Sequence, residues 1–138
     1  MRAEYVDAVL QVVDLIPPGS VLSYGDIAEL LGVGGARQVG SAMSASGSTT
    51  TWWRVLRASG HVPEGHTAAA LTNFRSEGTP LLGAPEALRD GGSGPWRVDM
   101  RRCRWSPDDS TMDRIEHIAR SLESRLHRMS VADDEMEA

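Results

Sequence analysis

The fold of this 138-residue chain is decided by the run Ile16-Pro17-Pro18-Gly19-Ser20-Val21-Leu22-Ser23-Tyr24-Gly25-Asp26. Its Pro-Pro-Gly triplet is typical of a helix end, because proline has no backbone N–H to donate and glycine accepts left-handed backbone angles. Ser23 and Asp26 have the spacing of a capping box, in which each side chain accepts the other residue's backbone N–H. The run therefore predicts a helix end, a short extended link and a new helix that begins beside Ser23.

Helical periodicity continues on both sides of this run. Before it, apolar residues at helical spacing predict an amphipathic helix over residues 3–15. After it, the second helix ends at Gly32, and residues 35–43 predict a third helix whose inward positions are Ala36, Val39 and Met43. Two short helices joined by a glycine-containing turn are typical of helix-turn-helix proteins, although other helical bundles contain the same pattern.

The outer face of the third helix is made of small residues around one cation. Arg37, Ser41 and Ser44 stand at i, i+4 and i+7, and Gly40 and Ala42 flank them. Helices that read bases in a major groove usually project several long polar side chains, whereas this one offers only Arg37 and Gln38. The face favours close contact with a backbone or a minor groove. The alternative is a helix packed against its own domain with a solvated arginine.

The rest of the chain predicts a small β wing and two more helices. Residues 46–51 are a polar loop, and Val55-Leu56 and Val62 predict short strands around a Ser59-Gly60 turn. A helix is predicted over residues 67–78. A connector interrupted by glycine and proline follows, with a helical turn near residues 86–88. A strand that includes Cys103 is then predicted from Trp96 to Trp105. An apolar stripe then predicts a long C-terminal helix, formed by Met112, Ile115, Ile118, Leu122, Leu126 and Met129.

The net charge of −5 lies entirely at the C-terminal end, where residues 106–138 carry nine acidic and four basic side chains. The first 105 residues are neutral overall, so the acidic total does not exclude a nucleic-acid partner. All fourteen basic residues are arginine, which gives forked contacts or simply reflects gene composition. With no long apolar run and no signal-like N-terminus, we expect a cytoplasmic protein.

Catalytic and metal-binding patterns are weak. Cys103 is the single cysteine; a strand would turn it away from Arg102 and Arg104, which favours a structural thiol over a reactive one. His61, Glu64 and His66 form a loop cluster without a fourth ligand, so we predict no metal and no cofactor. The unusual feature is Trp52-Trp53, because adjacent indoles cannot both face one core from a strand. One of them is a candidate wall for a flat base.

Three of these motifs together resemble a known family. Residues 16–28, 36–43 and 52–56, the last followed by Ser59-Gly60, are similar to the DNA-binding domain of the O6-alkylguanine-DNA alkyltransferases. They are more similar to the non-enzymatic alkyltransferase-like proteins, and the resemblance covers residues 3–105. It implies a mainly α helix-turn-helix domain, winged-helix-like, with a small β wing.

The resemblance also implies that the chain is not an enzyme. The enzymes carry Pro-Cys-His-Arg, in which cysteine accepts the alkyl group and histidine activates it, whereas this chain reads Thr51-Trp52-Trp53-Arg54. The nucleophile and its base are both absent. Alkyltransferase-like proteins usually keep the proline and histidine, so Thr51 and Trp53 also depart from that pattern.

Carried over by position, the resemblance assigns a DNA-binding set and a base pocket. Tyr24 would push on the phosphate beside a flipped nucleotide and Arg37 would enter the base stack, with Gln38 and Ser41 completing the DNA-binding set. The implied alkylguanine pocket consists of Tyr24, Trp52, Trp53, Val55, Ser59, Gly60 and His66. The basic lid residue of some relatives would fall near Gly65 and is missing. The implied partners are duplex DNA with O6-alkylguanine and nucleotide excision repair proteins.

These inferences define the expected organisation and function. We expect a DNA-binding domain over residues 1–107, an extra amphipathic helix over 108–130 and an acidic disordered tail over 131–138. We expect a monomer that recognises damaged DNA without chemistry. Two alternatives remain at this stage: a helix-turn-helix transcription regulator that dimerises through the C-terminal stripe, and an alkyltransferase that uses Cys103.

Overall fold

The computed structural model describes residues 3–63, 65–83 and 96–137. Over these residues the order of elements is α1 Ala3–Leu15, β1 Leu22–Ser23, α2 Tyr24–Leu31, α3 Ala36–Ser46, 3-10 helices Gly47–Thr49 and Trp52–Arg54, β2 Val55–Leu56, α4 Thr67–Glu77, β3 Leu81–Gly83, β4 Trp96–Val98, α5 Met100–Cys103 and α6 Asp109–Glu137. The fold is mainly helical with small sheets, as predicted. The helical turn predicted near residues 86–88 lies outside the described residues.

The extended link after the Pro-Pro-Gly turn joins the two halves of the molecule. β1 pairs in parallel with β2, Val21 N–H donates to the Cys103 carbonyl (3.0 Å), and Trp105 N–H donates to the Val21 carbonyl (2.9 Å). Successive side chains of an extended segment face opposite ways. Val21 accordingly enters one hydrophobic cluster and Leu22 the other.

The core consists of these two clusters. The first is formed by α1, α2 and α3 and also receives the fully buried Leu122 from α6. The second gathers α4 and the segments around β2 and β4, and in it Phe74 packs edge-on against Trp96 with ring centroids 6.1 Å apart. The apolar stripe of α6 thus covers the helix-turn-helix unit from outside and belongs to the same core.

The predicted helix boundaries at α2 are confirmed. Ser23 Oγ accepts the Asp26 N–H (3.0 Å), Asp26 Oδ2 accepts the Ser23 N–H (2.9 Å), and Gly32 ends the helix with a φ of 73°. The following turn needs glycine at position 34, because φ is +78° there and a Cβ atom would lie 2.4 Å from the Tyr5 hydroxyl. That close approach fixes α2 and α3 against α1.

The predicted strand at Val55–Leu56 and the Ser59-Gly60 turn are confirmed, but Val62 forms no strand, so the hairpin predicted between them is wrong. Val55 and Leu56 pair with β1 instead, and the chain then turns back, with Gly60 N–H donating to the Arg57 carbonyl (2.8 Å). The small antiparallel sheet is formed by β3 and β4, of which β3 was not predicted. The Val62 side chain is partly buried and packs against the second cluster.

Three further expectations need correction. Cys103 lies in the short helix α5, because Arg102 and Cys103 N–H both donate to the Asp99 carbonyl and end the β4 strand. On α3, Val39 is buried and Met43 partly buried as predicted, but Ala36, predicted inward, is exposed, and Ala42, predicted beside the outer face, is buried. The segment expected to be disordered from residue 131 is helical through Glu137 as the end of α6.

No helix within the described ranges has the length and hydropathy to cross a membrane.

Candidate nucleic-acid interface

A cleft of about 930 Å³ opens between the helix-turn-helix unit and the segments over residues 52–63 and 65–66. This volume is in the range of small-molecule sites and is large enough for a purine with a substituent. The cleft is lined by Tyr24, Arg37, Gly40, Ser41, Met43, Ser44, Ala45, Gly47, Ser48, Trp52, Arg57, Pro63 and His66.

Helix α3 presents its small-residue face to this cleft. Arg37, Ser41 and Ser44 are exposed, and all three line it together with Gly40. The predicted i, i+4, i+7 face is therefore confirmed as a common surface. Gln38 stands outside the lining, and its Oε1 accepts the Gly35 N–H (2.9 Å) to cap the start of α3.

Tyr24 is the first residue of α2, and the capping box directs the start of this helix to the rim of the cleft. Burial raises the pKa of the Tyr24 phenol, an effect that the positive charge of Arg57 partly opposes. The phenol thus stays protonated at neutral pH and can donate a hydrogen bond. Arg57 was not predicted for the site; the sequence signal was a cation directly before the Ser59-Gly60 turn.

Trp52 forms the aromatic wall. It lies in the 3-10 helix Trp52–Arg54, stands perpendicular to Trp53 with ring centroids 5.7 Å apart, and has the His66 ring at 5.4 Å in a tilted arrangement. Trp52 and His66 both line the cleft, so the two rings form one corner of it.

Trp53 lies outside the cleft lining, contrary to its predicted place in the pocket. Its Nε1–H donates to Glu77 Oε1 (3.0 Å), and the Arg54 guanidinium lies 5.6 Å from its ring centroid. Arg54 Nε also donates to Glu77 (3.2 and 3.3 Å), while Arg54 Nη1 donates to the Ile16 carbonyl (2.8 Å). Gly19 N–H completes the cluster on Glu77 Oε2 (3.2 Å).

This cluster of Trp53, Arg54 and Glu77, here called the Glu77 hub, fixes the loop that carries Trp52. It ties the Pro-Pro-Gly turn and the 3-10 helix to the C-terminal end of α4. Burial on its own would raise the pKa of Glu77, but the hydrogen bonds from Arg54, Gly19 and Trp53 outweigh it and lower the pKa. No local sequence pattern predicts that Glu77 supports the site, because its partner Arg54 is 23 residues away in the chain.

The other residues predicted for the pocket do not line the cleft. The Val55 side chain is 1 % exposed within the first cluster. Ser59 is exposed, with its Oγ 2.8 Å from His61 Nδ1, and the buried Gly60 accepts the Val98 N–H (2.9 Å) through its carbonyl. Gly60 is required there, because φ is +89° and a Cβ would lie 2.4 Å from the Val98 carbonyl oxygen. DNA contacts through these residues stay predictions.

Cys103 does not line the cleft and is poorly suited to nucleophilic chemistry. It is buried in the second cluster, where its Sγ–H donates to the Asp99 carbonyl (3.1 Å). Burial and the Asp99 charge raise the pKa of the thiol to about 11, against the opposing charge of Arg102. Among the residues that the structure describes, which omit Glu64, no group of His, Cys, Asp or Glu is placed to hold a metal ion.

These features define a class: a helix-turn-helix DNA-binding domain with an aromatic-walled cleft that carries no thiol. Residues 4–77 match the family described as 6-O-methylguanine DNA methyltransferase, DNA binding domain. The chain belongs to this family, in its alkyltransferase-like branch.

Individual relatives agree with this assignment. The chain is 36 % identical over 104 residues to the "DNA base-flipping protein" of Escherichia coli (strain K12), a match that covers 71 % of each chain, and equally to that of Shigella flexneri. It is also similar to the crystal structure of S. pombe Atl1 in complex with damaged DNA containing O6-carboxymethylguanine. That likeness has a TM-score of 0.62 at 26 % identity and covers 78 % of this chain and all of the other. A second S. pombe ATL–DNA complex gives 27 % identity with the same TM-score and coverage.

Proposed function

We propose that this protein binds duplex DNA at an O6-alkylated guanine, holds the damaged nucleotide in the cleft beside Trp52, and transfers nothing. The observation that carries the proposal is the position of Trp52. By the family resemblance it stands where the enzymes have their acceptor cysteine, and it lines a cleft that has room for a substituted purine, next to the exposed small-residue face of α3.

The α3 face suits a minor groove. Its Gly40, Ser41 and Ser44 are short enough for close approach to the sugar-phosphate backbone, and Arg37 is the one long side chain among them. Arg37 fills the place of the extruded base, while Tyr24 at the start of α2 donates to the flanking phosphate. The relatives named for base flipping and the Atl1 complex with damaged DNA support base extrusion at a damaged site, and the family resemblance supports the roles given to Arg37 and Tyr24.

The energetics favour damaged over intact guanine. Extruding a base costs a few kcal/mol, and less when alkylation has weakened its pairing. Stacking on Trp52 returns about 1–3 kcal/mol, and Arg37 replaces part of the lost stacking inside the duplex. Selectivity therefore comes from cheaper extrusion together with room for the substituent in the cleft.

Alkyl transfer lacks its chemical groups. An indole has no thiolate to attack the alkyl carbon, and Trp53 has only a donor N–H, so it cannot act as a base. The single cysteine of the chain, Cys103, is buried in the second cluster with a raised pKa. The alternative of a Cys103 alkyltransferase is therefore disfavoured.

The alternative of a dimeric transcription regulator is also disfavoured. It needs the α6 stripe as an interface, but Ile115 and Leu122 of that stripe are fully buried within this chain. A monomer in solution is accordingly part of the proposal. We also propose a cytoplasmic location. Transfer of the lesion to nucleotide excision repair proteins is a further part of the proposal, and the family resemblance alone supports that part.

Binding to matched duplexes with O6-methylguanine or guanine at one position tests the proposal. We expect tighter binding of the damaged duplex, with an unchanged protein mass after incubation. Trp52→Ala should lower the affinity for the damaged duplex by roughly 5- to 150-fold, because about 1–3 kcal/mol of stacking is lost. Arg37→Ala should weaken it as well. Equal affinity for the two duplexes, or a mass increase of one methyl group, contradicts the proposal.

A further inference from the structure

Asp26 and Arg104 form an ion pair outside the cleft. Arg104 Nε lies 3.1 Å from Asp26 Oδ2, and both side chains line a second cavity of about 210 Å³, none of whose described lining residues belongs to the cleft. The Arg104 side chain is 51 % exposed and that of Asp26 is 23 % exposed. Ion pairs with this much contact to water contribute little to folding, so the effect of the pair on stability is small.

The backbone holds Arg104 beside the start of α2. Val21 N–H donates to the Cys103 carbonyl (3.0 Å), and Trp105 N–H donates to the Val21 carbonyl (2.9 Å). These two hydrogen bonds flank Arg104, which forms a parallel bridge with Val21. Two residues after Val21 the chain reaches Ser23, the N-cap of α2. Main-chain hydrogen bonds therefore fix the place from which the guanidinium reaches Asp26.

Asp26 lies in the first turn of α2, which begins with Tyr24. Its Oδ2 accepts the Ser23 N–H (2.9 Å) as well as the contact from Arg104, while Tyr24 lines the cleft. One helical turn rises about 5.4 Å, and charges act on one another over roughly 10 Å at 0.1 M salt. A phosphate bound by Tyr24 is therefore within range of the Asp26 carboxylate, which has the same sign of charge.

We propose that Arg104 is a positioning residue for DNA, which holds and neutralises Asp26 so that the phosphate beside the flipped nucleotide can approach the start of α2. The inference rests on the function proposed above, in which Tyr24 donates to that phosphate. A carboxylate at this place caps the helix and suits its positive end, but it repels a second anion there. Arg104 offsets the repulsion and leaves the capping box intact. It acts through Asp26 and does not contact the DNA itself.

Fluorescence anisotropy at 50 and 200 mM NaCl measures the binding of an O6-methylguanine duplex to the full chain and its variants. We expect Arg104→Gln to weaken binding by about three- to fivefold at the lower salt concentration, as for the loss of a partly exposed charge pair. The loss should shrink at the higher concentration, because salt screens the repulsion. Arg104→Lys keeps the positive charge and should bind within about 1.5-fold of the wild type.

The same substitution is then made in an Asp26→Asn background. Asparagine keeps an oxygen that can accept the Ser23 N–H but carries no charge. If Arg104 acts through the carboxylate, Arg104→Gln should change the affinity of this variant by less than about 1.5-fold. Glu29→Gln is the matched control, because it removes a charge from an exposed position of α2 three residues farther along. In that background the loss caused by Arg104→Gln should persist.

Three results overturn the inference. If Arg104 contacts a phosphate directly, Arg104→Gln weakens binding equally in the Asp26→Asn background. If Arg104 only supports the fold, the loss does not depend on salt and accompanies a lower unfolding temperature. The third result is an Arg104→Gln variant that binds as well as the wild type. The wild-type preference for O6-methylguanine over guanine, measured in the same titrations, tests the proposed function separately: the function survives all three results if the preference is present and fails if it is absent.

Discussion

At position 53 an indole replaces the histidine of the enzymes, and the structure shows what this indole does. Its N–H donates to Glu77, which also accepts from Arg54 and Gly19. An indole N–H is a donor only, so this contact can fix the loop but cannot relay a proton. In the enzymes the histidine at this position activates the cysteine, whereas Trp53 holds in place the loop that carries Trp52.

Replacing Glu77 with glutamine should destabilise the protein by roughly 1–3 kcal/mol near neutral pH, because Arg54 loses its charged partner in a site that is 12 % exposed. The folded state lowers the pKa of Glu77 below its ordinary value of 4.5, so the unfolded chain binds the proton more tightly. The contribution is complete above about pH 4.5 and is lost as the pH falls through the folded-state pKa. Urea unfolding between pH 3 and 7 measures the difference.

Glu29→Gln is the control for this prediction, since Glu29 is an exposed carboxylate on α2. Its substitution should change stability by less than about 0.5 kcal/mol at any pH. A Glu77→Gln variant that loses the same stability at pH 3 and pH 7 contradicts the assigned role of the charged carboxylate.

Among the elements, the longer helices could be predicted, and so could strands β2 and β4, but β3 and the pairing of the strands could not. The capping box at Ser23, the end at Gly32 and the exposed face of α3 depend on residues within four positions of one another, so the sequence contains them. β1 and β2 are two residues long and pair across more than thirty residues, which no local alternation records. α5 was mistaken for strand because the apolar–polar alternation of the sequence continues from Trp96 to Arg101, although the strand itself ends at Val98.

The candidate site divides in the same way. The alignment of Arg37 and Ser41 follows from helical spacing, and Trp52 follows from the family motif. The place of Arg57 in the cleft and the contacts of the Glu77 hub both depend on how segments distant in sequence pack. Only the folded structure shows them. Trp53 was assigned to the pocket by its position in the family motif, whereas in the 3-10 helix its ring stands at a right angle to that of Trp52 and lies outside the cleft lining.

Gly40 on α3 allows stability and DNA contact to be separated. A Cβ built there meets nothing within 4 Å, so Gly40→Ala and Gly40→Leu should each stabilise the helix, by about 0.8–1 kcal/mol for alanine. Leucine also adds bulk to the face that we assign to the minor groove. We expect Gly40→Leu to raise the unfolding temperature yet lower the affinity for damaged and undamaged duplexes by roughly tenfold, a misfit of about 1–3 kcal/mol.

The control is Ala36→Leu, which adds a large side chain to an exposed position of α3 that does not line the cleft. Its affinity should stay within about threefold of the wild type. If Gly40→Leu binds DNA as well as the wild type, the face of α3 is not the docking surface.

For the molecule as a whole, α6 is part of the core. Leu122 is fully buried against the first cluster, so Leu122→Ala should cost about 2–5 kcal/mol of unfolding free energy. Met129→Ala is the comparison on the same helix, since that side chain is 37 % exposed, and should cost much less. Chemical denaturation and light scattering are measured together. A Leu122→Ala variant of unchanged stability but altered oligomeric state would indicate that α6 serves association.

The charge distribution determines how salt should affect binding. The first 105 residues are neutral overall, and among the described residues the cleft offers only Arg37, Arg57 and His66 as basic groups. Two to four phosphate contacts release few counterions, so affinity for an undamaged duplex should fall only about 10- to 150-fold between 50 and 200 mM NaCl. The damaged duplex should show the same slope at higher affinity, because stacking on Trp52 is independent of salt. A loss of 10³-fold or more over that range would mean that arginines outside the cleft also bind phosphates, and would move the DNA path beyond α3.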